Sequence, residues 1–498
     1  MFGLQLKHVP SIWLFLVGMV IFSLASQTAI RLLGQDGEST QIAETAPVND
    51  QSGVDISSKE HTTVPIVSEP EPTLANDTFG ISQIQPEVNR MAPADRLSSE
   101  LISDLKPFTN LSALAIQQQG YGQDEREVAY AFLVYNPNHD LTIADSEYQV
   151  IAYDEGGRVV ITDSEFISFI LPGQILGIAG NLYLEEDIPI ADLMVQIITG
   201  KPYFDTAIPN INVQAVKYRP GEYYDRVTGL IAGPNDRDVR DLRVSAIAYD
   251  DSGKIIGAGY SFIGFIQAGT ATGVDVTITN DGVVDRVELF PRLSFSSLDL
   301  EKNDRPKNVQ DLSFLQSGYV QNDLEVGYGI LVENPNQTFA IEGSDYRMTA
   351  FDSDGKVIRV DEGYIDRVLP GQTLGFGSTF FVDEGEEIDS LDLQLKTGSF
   401  RKSDLLPVLE QGNITIKGDK FNSVVTGEIM NPYDQSFEDI RVTAIVFDVD
   451  NKIVGGGFAW LDFIPADDSS PVEVWVTSVG EPVSAQLYTS VGELLEIE

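Results

Sequence analysis

A long internal repeat limits what this chain can fold into more than any other feature. YAFLVYNPN beginning at Tyr130 returns as YGILVENPN at Tyr328, LPGQILG at Leu171 returns as LPGQTLG at Leu369, and IITG at Ile197 returns as LKTG at Leu395. The offsets agree: 328 − 130 = 198, 369 − 171 = 198 and 395 − 197 = 198. The later part of each repeat keeps that spacing, with Gly229 matching Gly427, Tyr249 matching Phe447 and Ile266 matching Ile464. A fainter echo lies within each repeat, since Tyr153 and Tyr249 are 249 − 153 = 96 positions apart. The order is A-B-A′-B′. So long a period implies whole folding units in tandem, because solenoid repeats run about 20 to 50 residues.

One hairpin pattern recurs in every unit. In DLRVSAIAYDDSGKIIGAG, from Asp241 to Gly259, an alternating strand, a tight turn and a second strand follow one another. Val244, Ala246 and Ala248 are expected to face a core, with Arg243 and Ser245 outward. Asp250-Asp251-Ser252-Gly253 supplies the small polar residues and the Gly of a hairpin turn. The other versions are YQVIAYDEGGRVV from Tyr148, YRMTAFDSDGKVI from Tyr346 and RVTAIVFDVDNKIVGGG from Arg441. Short alternating strands with Gly and Pro turns, and almost no long helical pattern, predict an all-β chain of antiparallel β-sandwiches. They are placed at 108–203 (A), 208–300 (B), 308–402 (A′) and 407–498 (B′), with Glu301 to Lys307 as a charged linker between the two pairs.

The segment ahead of the repeat has a different character. Residues 1–10 form a mildly basic cytoplasmic start with Lys7 and His8, and 11–33 hold the apolar run IWLFLVGMVIFSLA. That run is either a signal peptide or a membrane anchor, and an uncleaved N-terminal helix is the favoured reading; Ser23-Leu24-Ala25 resembles a cleavage site, which would make the protein secreted. The basic start orients the bulk of the chain outward, to the cell surface. Residues 34–94, with Pro47, Pro65, Pro70, Pro72 and Pro86, are expected to form a disordered acidic linker. Leu97, Leu101 and Leu105 then predict a short helix over 95–107, packing on the first sandwich.

A formal net charge of −44 argues against nucleic acid as a partner, because polyphosphate would be repelled. The chain has no Cys, which removes disulfides, thiol catalysis and thiolate metal sites. Its three His, at His8, His61 and His139, cannot form a cluster within one folded unit. Serine catalysis would need His139 as its base, yet Gln337 holds the matching position in the second repeat. No enlarged loop is available to enclose a substrate, so the chain is read as a non-enzyme.

The order of these signals resembles a known family. Gly427-Glu428-Ile429-Met430-Asn431-Pro432, a strand ending in Tyr or Phe followed by Asp and a Gly-containing turn, and the Leu-Pro-Gly turns at Leu171 and Leu369 resemble the FxLYD-type immunoglobulin-like bacterial domains. More distantly they are similar to the sandwiches of late-embryogenesis-abundant and water-stress proteins. The resemblance covers all four units and implies immunoglobulin-like sandwiches, exported or membrane-tethered, with no catalytic residues to carry over. Gln267-Ala268-Gly269 and Pro465-Ala466-Asp467 depart from the Pro-Gly turn, and those edges are expected to differ in shape.

Candidate contact residues are few. The acidic hairpin tips, with Asp250, Asp251, Asp352 and Asp354, are the metal candidates for a weak Ca²⁺ site, and no other cofactor is expected. An EF-hand would need Glu twelve positions along from Asp352, where Gly363 stands, and turn chemistry explains the tips equally. The Asn-Pro-Asn segments at Asn136 and Asn334 read as loop turns just past a strand end. Trp460, matched by Phe262, is expected in a core. Tyr223 and Tyr224, which lack a matching pair in B′, are the preferred ligand contact. The function expected is that of a non-enzymatic, membrane-anchored extracytoplasmic binding and spacer protein acting on an unknown protein partner. The alternatives are an adhesin-like array binding cell-envelope glycan and a calcium-rigidified surface rod.

Overall fold

Strands form wherever apolar residues alternate between Gly- and Asp-bearing turns, and they repeat at the spacing of the sequence. Segment A contains β1 (Ala115–Asp124), β2 (Glu127–Tyr135), β3 (Thr142–Tyr153), β4 (Val159–Ile170), β5 (Ile175–Tyr183), β6 (Asp192–Ile198) and β7 (Lys201–Tyr203). Segment B contains β8 (Asn212–Arg219), β9 (Asp225–Ala232), β10 (Val239–Tyr249), β11 (Ile255–Ile266), β12 (Ala271–Asn280) and β13 (Arg286–Arg292), then one helical turn, α1 (Phe295–Leu298). Segment A′ repeats A as β14 (Ser313–Asn322), β15 (Glu325–Glu333), β16 (Phe339–Phe351), β17 (Val357–Val368), β18 (Thr373–Phe381), β19 (Ser390–Lys396) and β20 (Ser399–Lys402). Segment B′ repeats B as β21 (Glu410–Gly418), β22 (Asn422–Met430), β23 (Phe437–Phe447), β24 (Ile453–Ile464), β25 (Ser469–Ser478) and β26 (Ser484–Ser490). The computed structural model describes residues 111–204, 208–221, 224–298, 305–403, 409–418, 422–478 and 482–490. The expected leader, acidic linker and short helix therefore lie outside the described residues, as does Tyr223.

All pairing is antiparallel. In A, a sheet of order β1-β2-β5 stands opposite β4-β3-β6, with β7 added beside β3. In B the corresponding sheets, β8-β9-β12 and β11-β10-β13, merge at one corner where Gly257 and Ala258 pair with Asn280 and Thr279. A′ and B′ repeat both arrangements. Each pair of sheets encloses an apolar core, for example Val128, Tyr130, Phe132, Tyr148 and Val150 in A, and Val326, Tyr328, Ile330, Tyr346 and Met348 in A′. The described region is all-β, sandwich-like and built of repeated antiparallel sheets.

The four hairpins share one turn. Asp154, Asp250, Asp352 and Asp448 each donate their amide to the carbonyl four residues on, at 3.0 Å. The third residue beyond each Asp is left-handed: Gly157 (φ 71°), Gly253 (φ 80°), Gly355 (φ 72°) and Asn451 (φ 61°). A register shift follows at the same place in each, as between Ala248 and Tyr249. Gly and Asn tolerate that conformation, which is why they stand there. The turns expected to be misshapen keep the common form. Gly269 (φ 72°) and Asp467 (φ 51°) take the conformation of Gly173 (φ 66°), and their amides donate back to Pro234 and Tyr433 as Gly173 does to Asn138. The αL residue and the returning bond define this turn, so the identity of its first two residues matters little.

One expectation requires correction. Val244, Ala246 and Ala248 face the core of B, but Arg243 (8% exposed) and Ser245 (2%) do not face solvent, and neither do Ile247 and Tyr249. β10 is buried on both sides because its second face lies against the outer face of the β1-β2-β5 sheet. Ile247, Tyr249, Ile255 and Ala258 pack there on Ala129, Ala131 and Ala179. Small residues let the two backbones close up: a Cβ on Gly120 would lie 2.5 Å from the Ile255 carbonyl oxygen. The same joint recurs in the second repeat, where a Cβ on Gly318 would lie 2.1 Å from the Ile453 oxygen.

Candidate functional site

Polar chemistry in this protein is concentrated at the joints between sheets. At the first joint, inside the A core, the Tyr130 and Tyr148 hydroxyls lie 3.3 Å apart. Tyr130 donates to Asp163 at 2.9 Å and Tyr148 to Glu165 at 2.6 Å. Arg243 crosses from B to reach Glu165 at 2.6 Å and the Ala179 carbonyl at 2.7 Å, with its guanidinium 3.9 Å above the Tyr260 ring. Burial pulls the Glu165 carboxyl upward, but Arg243, the Tyr148 hydroxyl and Arg292 outweigh it and hold the group below its ordinary range. The second repeat keeps the tyrosine pair, with hydroxyls 3.0 Å apart and Tyr328 donating to Asp361 at 2.6 Å. Its Arg441 still reaches Gly377 at 2.9 Å, whereas Gly363 takes the place of Glu165.

These tyrosines are structural donors with no access to a substrate. Burial, reinforced by neighbouring carboxylates and by each other, raises Tyr130 and lifts Tyr328 well above the ordinary value of 10.0; burial first, then Asp361, pushes Tyr346 up to about 12. A folded pKa above the unfolded one means that the unfolded chain ionises first. Stability from this source is complete below pH 10 and declines as pH rises through and beyond it. Titrating the urea midpoint upward from pH 9 is expected to show this decline. Tyr130→Phe or Tyr328→Phe should each lessen its slope by about one proton, or about 1.4 kcal/mol per pH unit; an unchanged slope would refute the assignment.

The joint between B and A′ is built differently. Arg219, 6% exposed, donates to the Val357 carbonyl at 2.8 Å and pairs with Glu386 and Asp352. Arg226, 3% exposed, donates to the Ile358 carbonyl at 2.9 Å and pairs with Asp275, Asp383 and Glu386. From the other side Arg347 donates to the Gly273 carbonyl at 2.8 Å and Gln394 to the Ala271 carbonyl at 2.7 Å. β17 is an edge strand, and β12 is unpaired on one side at this end, so these donors cover carbonyls that the ladders leave open. Pairing these side chains with backbone from the neighbouring segment ties B to A′. Hydrophobic periodicity carries no trace of this joint; a sequence signal lies in positions that differ between the repeats, such as Lys417 and Val424 where the first repeat has Arg219 and Arg226.

The structure places the sequence candidates as follows. Asp250 Oδ1 accepts the amides of Ser252 (3.0 Å) and Lys254 (2.8 Å), and Asp352 Oδ1 those of Asp354 (3.1 Å) and Lys356 (2.8 Å). Asp352 Oδ2 faces Lys217 and Arg219 at 3.5 Å, while Asp251 and Asp354 are exposed at the tips. Among the described residues no three His, Cys, Asp or Glu side chains converge as a metal site would require. Asn136 and Asn334 are fully buried, and each side-chain amide donates to three carbonyls; Asn334 reaches Phe339 (2.8 Å), Val368 (2.9 Å) and Leu369 (3.1 Å). Trp460 is not in a core: it is 56% exposed, because Ala459 and Leu461 on either side pack on the B′ core and alternation turns Trp460 to the opposite face of β24. Tyr224 is 69% exposed, and Phe463 and Trp475, which sequence reading did not single out, are 57% and 59% exposed. Among the described residues no helix is long and apolar enough to cross a membrane. No family model matches the chain, and no curated protein was found to match it.

Proposed function

We propose that the chain is a non-enzymatic binding and spacer protein, anchored to a membrane by its N-terminal apolar run and holding four tandem immunoglobulin-like sandwiches outside the cell. The observation that carries this reading is where the buried polar side chains are used. Arg219, Arg226, Arg243 and Arg347 each bridge sequence segments to one another. Such an array is held as a continuous support, with aromatic surface left over for contact. The resemblance to FxLYD-type domains, the apolar leader and the acidic linker agree with it. The exposed aromatic side chains favour a protein partner, since such residues dominate contact energies.

The test is affinity capture from native envelope membranes with the full chain as bait, scored by competition with free protein. One saturable protein partner is the expected result. A second reading rests on the same exposed rings, which would stack on sugars of the cell envelope. It predicts that alanine at Tyr224, Trp460 and Trp475 together weakens retention on envelope polysaccharide; polysaccharide retention with no enriched protein would put that reading first.

A further inference from the structure

The two faces that form the joint between B and A′ occur a second time, uncovered. The B face, with the end of β11 at Phe265, has its counterpart on β21, β22 and β25 of B′ with the end of β24, and the A′ face has its counterpart on β3, β4 and β6 of A. Phe265 is 2% exposed against A′, while Phe463, at 265 + 198, is 57% exposed. Val357 is fully buried against B, while Val159, at 357 − 198, is 57% exposed. Both apolar residues are kept on faces that no described part of the chain covers. Polar members of the joint persist as well: Lys417 stands for Arg219, Asp154 for Asp352 and Gln196 for Gln394.

Other positions of the joint change in character on both sides, although Glu473 and Glu185 stand for Asp275 and Asp383. On B′, Arg226 becomes Val424 and Thr277 becomes Trp475, cross-strand neighbours in the β22–β25 ladder. On A, Arg359 becomes Ile161 and Lys396 becomes Ile198, the latter 68% exposed. Arg226 on one face and its partner Glu386 on the other have thus given way to Val424 and Ile188, while Asp154 and Glu185 keep the acidic places of Asp352 and Asp383. Loss of Arg226 alone would leave buried Glu386 unpaired; loss of both members of that pair leaves an apolar contact in its place.

We infer that the outer face of β22 and β25 in B′ seats the outer face of β3, β4 and β6 in A of a second copy of this chain, head to tail. The spacing is wider than in the internal joint. A Cβ on Gly273 would lie 2.4 Å from the Thr349 side chain, and these positions are Pro471 and Ile151 in the external pair. Trp475 supplies bulk for the added depth. Because the two faces differ, the contact is heterologous and yields a ring or an extending chain of molecules. The inference rests on the protein-contact reading, and capture of an unrelated protein would leave that reading standing while removing this one.

The absence of native Cys makes cross-linking a clean test. Full chains carrying Ser469→Cys, mixed with full chains carrying Gln196→Cys, are expected to form disulfide-linked heterodimers. The yield should be at least about tenfold above that from Asp450→Cys, on an exposed hairpin tip, mixed with the same partner. Adding Trp475→Ala to the Ser469→Cys chain should remove that excess. Yields equal to the control, insensitivity to Trp475→Ala, or Ser469→Cys homodimers in place of heterodimers would each overturn the inference. So would a bond within one chain between Leu101→Cys and Gln196→Cys, which would assign the A face to the leucine-bearing stretch.

Discussion

Replacing Arg226 with alanine is expected to lower stability by about 3–5 kcal/mol, the cost of leaving buried charge without its partner. Arg226 is 3% exposed, and its removal strands Asp275 and Glu386, whose side chains are 10% and 14% exposed, as well as the open Ile358 carbonyl. The loss falls on the joint and spares the cores on either side, because no core residue of B or A′ is changed. Urea unfolding should therefore begin earlier and separate into two steps, with trypsin gaining access to Lys302 or Lys307 in the charged linker between the repeats before global unfolding. Arg226→Met, which restores the apolar stem but not the charge, should recover only a small part. Since the pair is buried, raising salt to 1 M should change little. A double-mutant cycle with Asp383→Asn measures the coupling directly. A loss below about 1 kcal/mol would mean that the joint is not held by this cluster.

Asn334→Ala is expected to cost about 3–5 kcal/mol, by a different route. The Asn334 amide is fully buried and shares its two N–H groups among the carbonyls of Phe339, Val368 and Leu369, while its oxygen accepts the Asn336 amide at 3.0 Å. Alanine leaves these groups inside the protein with no water to replace the lost partner. Asn334→Asp should be at least as damaging at neutral pH, because a carboxylate cannot donate and would confront three carbonyl oxygens. Burial and those oxygens raise the folded pKa of the introduced Asp above its unfolded value of about 3.9. Its loss should therefore be smallest below that pH and grow as pH rises. Asn136 makes the same bonds in A, so Asn136→Ala should match it. Thermal and urea unfolding of the three variants would check this, and a cost under about 1 kcal/mol would show that the carbonyls find other donors.

Both sites show which kinds of information local sequence carries. The four hairpins were legible to the residue, since alternation, the leading Asp and a Gly or Asn three residues on are local requirements of a strand-turn-strand. The Asn-Pro-Asn segments were legible as turns, but the burial of Asn136 and Asn334 was not, because the carbonyls they serve arrive from about 34 residues away. Arg243 read as an outward residue because alternation reports one core at a time. The presence of Ile247 and Tyr249 on the same face was the available sign that this face is covered too. Trp460 failed in the opposite direction: an aromatic ring in an alternating strand has no local feature that separates a core position from the rim of a joint.

By itself the sequence determined the offset of 198 residues, and with it the all-β class, the strands and the four Asp-led hairpin turns, because strand and hairpin depend on backbone conformation and periodicity within a few residues. Only the tertiary structure decided which second faces are buried and which carbonyls borrow a donor. It likewise decided that one repeated face is closed by Arg219 and Arg226 while its counterpart bears exposed Phe463 and Trp475. Those outcomes depend on what lies across a joint, and desolvation sets the worth of a charge or ring only once the neighbouring sheet is in place.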